Sequence, residues 1–166
     1  MLGRRFQRKI WQKAYYFRFH SFASTPRKMI STRKIVNNNN APRPIAPYNQ
    51  AVILDSTVYV SGCLGLDKDT MKLVSGDVCA ETRQALRNLG QILQAAESSF
   101  DRVIKSTIFM RDINDFVAIN EVYKEFFRNA YPARSAIQVA KLPMDARVEI
   151  EVVAAVGEVK TVEAKL

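Results

Sequence analysis

The sequence predicts an α+β domain with the element order β-β-β-α-β-α-β-β, in which two helices cover one face of a single sheet. Apolar and polar residues alternate over 135–140 and 147–156, which is typical of strands. Over 78–96 and 116–127, apolar residues recur every three or four positions, which is typical of amphipathic helices. With 166 residues, 48% of them hydrophobic, the chain can form one domain with a substantial core.

Alternation and turn-forming residues define the predicted strands. The turn at Asp55–Ser56 joins two of them into a hairpin. Three prolines within residues 41–47 exclude a helix there and predict a stiff extended loop, and residues 65–76 predict a polar loop. The predicted strands span residues 33–36, 51–54, 57–61, 103–110, 135–140 and 147–156.

Each predicted helix has one apolar stripe and a marked end. Asp77 precedes the first stripe and suits both an N-cap and the helix dipole. The second stripe ends before Pro132, which cannot continue a helix. Turns are predicted at 112–115 and 142–145.

Charge divides the chain into a basic extension and a nearly neutral body. Residues 1–54 contain eleven Lys or Arg and no acid, whereas residues 55–166 contain fourteen bases and sixteen acids. Residues 1–31 combine an arginine-rich amphipathic pattern with Ser and Thr, which is typical of a mitochondrial transit peptide. The alternative is a disordered basic tail that contacts RNA or an anionic membrane surface. The predicted domain then spans 32–157, and 158–166 form a tail.

This extension predicts a mitochondrial matrix protein. Initiation at Met29 would give a shorter form for the cytoplasm. No stretch of the chain is apolar enough to predict a membrane span.

Composition excludes several classes of catalytic site. The one histidine, His20, lies in the basic extension, so the body has no Ser–His–Asp or Cys–His pair and no ordinary catalytic zinc site. Cys63 and Cys79 are too few for a metal cluster or a disulfide scaffold, and buried free thiols are predicted. The six glycines form no phosphate-binding motif.

The remaining candidates are an arginine and a carboxylate. Arg134, in Tyr-Pro-Ala-Arg-Ser, offers a planar double donor suited to a carboxylate, although a surface arginine at a strand end is the alternative. Glu149 and Glu151 share one face of an apolar strand, so one of them can occupy a partly dry site with a raised pKa. The alternative is a salt bridge with Arg147 on the same face.

Further candidates are groups that can form hydrogen bonds. Ser61 and Gly62 end a predicted strand and expose backbone amides, and Tyr48 can be a core aromatic or a hydroxyl donor. Apolar residues on both faces of the strands predict that a second copy of the chain covers the face without helices.

Six ordered motifs between residues 33 and 157 resemble the RidA (YjgF-like) family of reactive intermediate deaminases. They are Ala-Pro-x-x-Ile-x-Pro-Tyr-x-Gln at 41–50, Val-Ser-Gly at 60–62, Asp-Ile-Asn-Asp-Phe at 112–116, Tyr-Pro-Ala-Arg-Ser at 131–135, Ala-x-Leu-Pro at 140–143 and Val-Glu-Ile-Glu at 148–151.

The resemblance implies a chorismate-mutase-like fold and a homotrimeric barrel with sites between subunits. It implies hydrolysis of 2-aminoacrylate, 2-iminobutanoate and 2-iminopropanoate to 2-oxo acids and ammonia, with no metal or cofactor. The charge of residues 55–166, with fourteen bases and sixteen acids, argues separately against a nucleic-acid partner. Alternatives are an RNA-acting translation inhibitor and a non-enzymatic metabolite-binding or chaperone-like trimer.

Site residues also follow from the resemblance. Arg134 matches the arginine that binds the substrate carboxylate, and Glu149 matches the acid that handles the attacking water. Tyr48, Ser61 and the Gly62 amide match pocket positions, and Phe109 matches a hydrophobic wall. Ala136 replaces the cysteine of several bacterial members, which argues against an essential thiol.

Overall fold

The computed structural model describes residues 30–129 and 131–164, and the transit peptide predicted over 1–31 lies outside them apart from its last two residues. Within the described part, the predicted element order and the α+β fold class are confirmed. The elements are β1 (Arg33–Val36), β2 (Ala51–Leu54), β3 (Thr57–Leu64), α1 (Val78–Ala95), β4 (Val103–Met110), α2 (Phe116–Phe126), β5 (Ala133–Gln138) and β6 (Val148–Ala155).

The strands form one sheet in the order β1-β2-β3-β6-β4-β5. The β4–β5 pair is parallel, and the other pairs are antiparallel. β5 starts at Ala133 rather than at the predicted residue 135, because parallel pairing with β4 begins directly after Pro132. β5 is therefore an edge strand, and its free side is open to another element.

β3 runs three residues beyond its predicted end because it contains a bulge. Val60 pairs with Val152 and Cys63 pairs with Ile150, so Ser61 and Gly62 together face a single residue of β6. The extra residue shifts the side-chain alternation by one position, which is why the predicted strand ends at residue 61.

The two helices pack on one face of the sheet, as predicted. The Asp77 side chain accepts a hydrogen bond from the Ala80 N–H at 2.9 Å, which confirms the predicted N-cap. Side chains from the apolar stripes of both helices join the inward-facing residues of β3, β4 and β6 in one core cluster. No helix in the described ranges is both long and apolar enough to cross a membrane.

The opposite face of the sheet is left without helices, and we call it the open face. Ile35, Tyr59 and Ile137 lie on it with about half of their surface accessible, at 59%, 51% and 48%. Glu149 and Glu151 lie on this face too, as the alternation in β6 predicts.

Candidate active site

A pocket of about 390 Å³ lies beside the bulge of β3, between the proline-rich loop and β6. It brings together four of the six predicted site residues, namely Tyr48, Ser61, Gly62 and Glu149. The pocket is mostly apolar, and Arg43 and Glu149 are the two charged residues in its lining. A concave apolar site with a few converging polar groups is the usual form of a small-molecule site.

Glu149 is the titratable group of this pocket. Burial raises the pKa of its carboxyl above the ordinary value, and the negative charge of Glu151 raises it further. Among the described residues, Glu149 has no salt-bridge partner that would oppose this shift. A carboxyl with a raised pKa can accept a proton and return it near neutral pH.

Gly62 leaves the space that the Glu149 carboxyl occupies. A Cβ at residue 62 would lie 2.7 Å from Cδ and 2.9 Å from Cγ of Glu149, which is closer than real Cβ atoms approach other atoms. The bulge brings the Gly62 backbone against the carboxyl, and only a residue without a side chain permits this contact.

We expect Gly62→Ala to displace the Glu149 carboxyl and to lower kcat/KM at least ~10-fold, because a small displacement of a proton-transfer group costs much of its effect. Steady-state kinetics and a thermal melt measure the effect. Gly90→Ala is the matched control, since the added Cβ would meet only the Phe100 ring, at 3.1 Å. Wild-type kinetics in Gly62→Ala would contradict this role for the glycine.

Hydrogen bonds hold the loop that carries Tyr48. The buried Gln50 side chain donates to the carbonyls of Asn38 and Pro42 at 3.0 Å and 2.8 Å, which fixes the loop against β2. The Ser61 hydroxyl donates to the Asn49 carbonyl at 2.7 Å, so its oxygen can accept a hydrogen bond in the pocket. The Tyr48 hydroxyl accepts a long 3.4 Å bond from the Ile45 N–H and is partly exposed.

Cys63 lies next to this carboxyl but cannot act as a thiolate nucleophile. Burial raises the pKa of its thiol to about 12, and the charge of Glu149 adds to the shift. Cys63 and Cys79 are both free, as predicted, but only Cys63 is buried, whereas Cys79 is partly exposed.

Phe109 lies beside Glu149 rather than in the pocket lining. It is the β4 residue that pairs with Glu149 on the open face, and it packs on a small apolar cluster that includes Leu64 and Leu142. This position is compatible with a hydrophobic wall next to the carboxyl.

Arg134 lies apart from Glu149 within one chain. It pairs with Ser106, which is fully buried under the helices, so Arg134 emerges on the helix face at the edge of the sheet. Glu149 emerges on the open face. Arg134 lines a second pocket, of about 430 Å³, with α2 residues and Tyr131. A single chain therefore does not place the predicted guanidinium and carboxylate in one site.

The Arg134 guanidinium rests on aromatic rings. Its Cζ lies 4.9 Å from the centre of the Tyr123 ring and 5.8 Å from that of Phe116. Tyr123 is buried and stacks on Phe127, with 4.0 Å between ring centres. Arg134 has no carboxylate partner among the described residues. It is therefore an oriented cation that is free to bind an anion.

The predicted alternative of a salt bridge from Arg147 to Glu149 or Glu151 is wrong. β6 begins at Val148, so its alternation does not extend to Arg147. The Arg147 guanidinium instead lies 3.2 Å from the buried Glu81 carboxylate, which also accepts a 2.8 Å bond from the Arg147 N–H. Arg147 thus joins β6 to α1 and leaves Glu149 free.

The sequence did not point to several residues of these pockets, and Tyr123 and Arg43 are two of them. Tyr123 lies within the apolar stripe predicted over 116–127, and nothing in that spacing shows that its ring also supports Arg134. Arg43 lines the pocket of Glu149, and its position between Pro42 and Pro44 was a signal that its backbone is fixed. In the described part of the chain, no group of three or more His, Cys, Asp or Glu residues could hold a metal ion.

Comparison with known proteins assigns the family. The model of the family described as endoribonuclease L-PSP matches residues 38–156. The chain belongs to this family. The match confirms the resemblance to the RidA family, and it spans both pockets and every predicted site residue.

The relatives are similar over nearly their whole length. A Drosophila melanogaster protein named RutC family protein UK114 is 60% identical over 129 residues, covering 78% of this chain and 94% of the relative. The human 2-iminobutanoate/2-iminopropanoate deaminase is 48% identical over the same shares of the two chains. The crystal structure of Escherichia coli TdcF with bound serine is 42% identical with a TM-score of 0.71, covering 75% of this chain and 99% of TdcF. The prediction that the chain is an enzyme is confirmed by relatives named as deaminases.

Proposed function

We propose that the chain hydrolyses small 2-imino acids and their enamines to 2-oxo acids and ammonia, at sites formed between copies of a homotrimer. The observation that supports this best is the half-buried Glu149, unpaired among the described residues and with a raised pKa, beside Ser61 and Gly62 in a small pocket. The names of the relatives favour 2-iminobutanoate and 2-iminopropanoate as substrates.

The proposed reaction requires one group that moves protons. The Glu149 carboxylate accepts a proton from water while the water oxygen bonds to the carbon of the protonated imine and the C=N electron pair moves to nitrogen. The carboxyl then protonates the amino group of the tetrahedral intermediate. Ammonia leaves as the hydroxyl oxygen forms the C=O bond, and the hydroxyl proton passes to the carboxylate and from there to solvent. An imine is already electrophilic, so a positioned substrate and one proton carrier lower the barrier enough.

The second group required is a cation for the substrate carboxylate, which Arg134 supplies in this proposal. Because Arg134 and Glu149 lie on opposite faces of the sheet, the Arg134 of one copy would complete the pocket of a neighbouring copy. The half-exposed apolar residues of the open face favour such an assembly, since an uncovered apolar sheet face usually marks an interface.

A coupled assay tests the function directly. Threonine dehydratase generates 2-iminobutanoate, and semicarbazide traps the fraction that has not been hydrolysed. With this protein present, we expect less trapped imine and faster release of 2-oxobutanoate. An unchanged trapped fraction at stoichiometric protein would rule out the proposed activity.

RNA-directed activity, which the description of the family model suggests, has less support in this chain. Residues 55–166 hold fourteen basic and sixteen acidic residues, whereas RNA-binding surfaces are basic. Removal of residues 1–31 distinguishes the two functions. It should leave imine hydrolysis intact, and it should abolish RNA binding if the extension is the only basic element.

We also propose that residues 1–31 direct the chain to the mitochondrial matrix, and that initiation at Met29 gives a cytoplasmic form. The support is the basic, acid-free composition of the extension. A western blot of fractionated cells would show two sizes if both forms exist. A single full-length species in the cytoplasm would contradict the proposal.

A further inference from the structure

Arg43 is a charged residue of the Glu149 pocket for which the proposed reaction has no role. The lining contains two charged side chains, the other being Glu149. Hydrolysis of a monocarboxylic imine uses Glu149 and one cation, which Arg134 of a neighbouring copy supplies in the proposed function. A second cation in the same pocket therefore requires a separate explanation.

The backbone at Arg43 is held in place by its neighbours. Pro42 and Pro44 flank the residue and restrict its backbone to extended conformations. The buried Gln50 side chain donates to the Pro42 carbonyl at 2.8 Å and to the Ala41 carbonyl at 3.3 Å. The backbone of Arg43 is thus fixed beside the pocket, although its side chain is exposed.

The Arg43 guanidinium is free of protein partners. Within residues 30–129 and 131–164, it forms no salt bridge and donates no side-chain hydrogen bond. It also does not neutralise Glu149, whose pKa is raised, whereas an adjacent arginine would lower it. Arg43 therefore lines the pocket with an exposed, unpaired side chain that is separate from the proton-carrying carboxyl.

The pocket is also larger than a small imino acid requires. At ~30 Å³ for each water-sized group, the seven non-hydrogen atoms of 2-iminobutanoate would fill roughly half of it. In a single chain this leaves room for a longer substrate side chain, in addition to the part of the pocket that a neighbouring copy would close.

We propose that Arg43 binds a second carboxylate, at the far end of the substrate, so that the pocket accepts 2-imino dicarboxylic acids as well as small monocarboxylic ones. This proposal rests on the proposed imine hydrolysis, since it names a further substrate class for the same site. Arginine suits the role because its planar guanidinium pairs with a carboxylate through two parallel hydrogen bonds. The substrates in this class are the imines of dicarboxylic amino acids, such as 2-iminoglutarate.

The test uses stable 2-oxo acids as probes, since they are the products of the two substrate classes. Calorimetry measures the binding of 2-oxoglutarate and 2-oxobutanoate to the wild-type protein and to Arg43→Gln. Arg43→Gln should weaken 2-oxoglutarate at least ~10-fold and change 2-oxobutanoate less than ~2-fold, because only the former has a distal carboxylate. Arg87→Gln is the control, since Arg87 is an exposed arginine on α1 outside the pocket.

Kinetics separate this proposal from the proposed function. Arg43→Gln should lower kcat/KM for 2-iminoglutarate at least ~10-fold more than it lowers kcat/KM for 2-iminobutanoate. Equal losses for both oxo acids, no loss for either, or no binding of 2-oxoglutarate to the wild type would overturn the role of Arg43. If the wild type hydrolyses no imine, the proposed function fails, and the difference in oxo-acid binding still decides whether Arg43 recognises a distal carboxylate.

Discussion

Replacement of Arg134 by alanine is expected to abolish turnover of 2-iminobutanoate while leaving the fold and the proposed homotrimer intact. The guanidinium is exposed and has no carboxylate partner in the described chain, so no internal ion pair is lost. Two charge-assisted hydrogen bonds to the substrate carboxylate, at ~1.5–3 kcal/mol each, predict a fall in kcat/KM of at least ~100-fold. The coupled imine assay and size-exclusion chromatography with light scattering measure the two effects.

Two further variants define what Arg134 contributes. Arg134→Lys keeps the positive charge but loses the planar double donor, so its activity should lie between those of the wild type and Arg134→Ala. Arg87→Ala is the matched control, because it removes an exposed arginine that lies outside both pockets. Wild-type activity in Arg134→Ala would show that another group binds the substrate carboxylate.

Local sequence patterns were sufficient for most of the fold and for half of the site. The apolar stripes and the Asp77 cap place α1 correctly, and the alternation in β6 puts Glu149 and Glu151 on one face. These features depend on residues a few positions apart, which a sequence shows directly. The local pattern left Tyr48 open between a core aromatic and a hydroxyl donor, and the resemblance to the RidA family predicted its place at the Glu149 pocket.

The features that sequence patterns missed depend on pairing between distant segments. The bulge at Ser61 and Gly62 breaks the alternation of β3, and only its register with β6 shows that the strand continues. Arg134 lies on the helix face because β5 pairs in parallel with β4, which no local pattern encodes. Arg147 was placed beside Glu149 by spacing alone, but its partner Glu81 lies on α1.

Glu149→Gln is expected to lower kcat for imine hydrolysis by ~10²–10⁴-fold while leaving the affinity for 2-oxobutanoate nearly unchanged. The amide keeps the size of the carboxyl but cannot accept a proton from water. In the wild type, kcat/KM should rise with pH through the raised pKa of Glu149, because the base must be ionised. If the protein only bound metabolites and catalysed no hydrolysis, Glu149→Gln would leave its affinity for 2-oxobutanoate unchanged, and there would be no kcat to lower.

Stability provides an independent check on the same carboxyl. The pKa of Glu149 is higher in the folded chain than its ordinary value of 4.5, so ionisation of Glu149 destabilises the fold as pH rises from about that value through the raised pKa. Glu149→Gln removes this loss. We expect the free energy of unfolding of Glu149→Gln at neutral pH to equal or exceed that of the wild type. A loss of activity in this variant would then not result from unfolding. A marked drop in stability would show that the ionised carboxyl stabilises the fold.

Mixing the two inactive variants should restore activity, because Arg134 and Glu149 are proposed to act from different copies. The variants Arg134→Ala and Glu149→Gln are co-expressed with different tags, and hetero-oligomers are isolated through both tags. In a closed ring of three copies, every mixed trimer has one site with an intact arginine and an intact glutamate, so about one third of wild-type activity should return. Co-expression of Arg134→Ala with the double variant Arg134→Ala/Glu149→Gln should restore no activity, because no copy then has an intact Arg134. If both groups served one site within a single copy, no mixed trimer would be active.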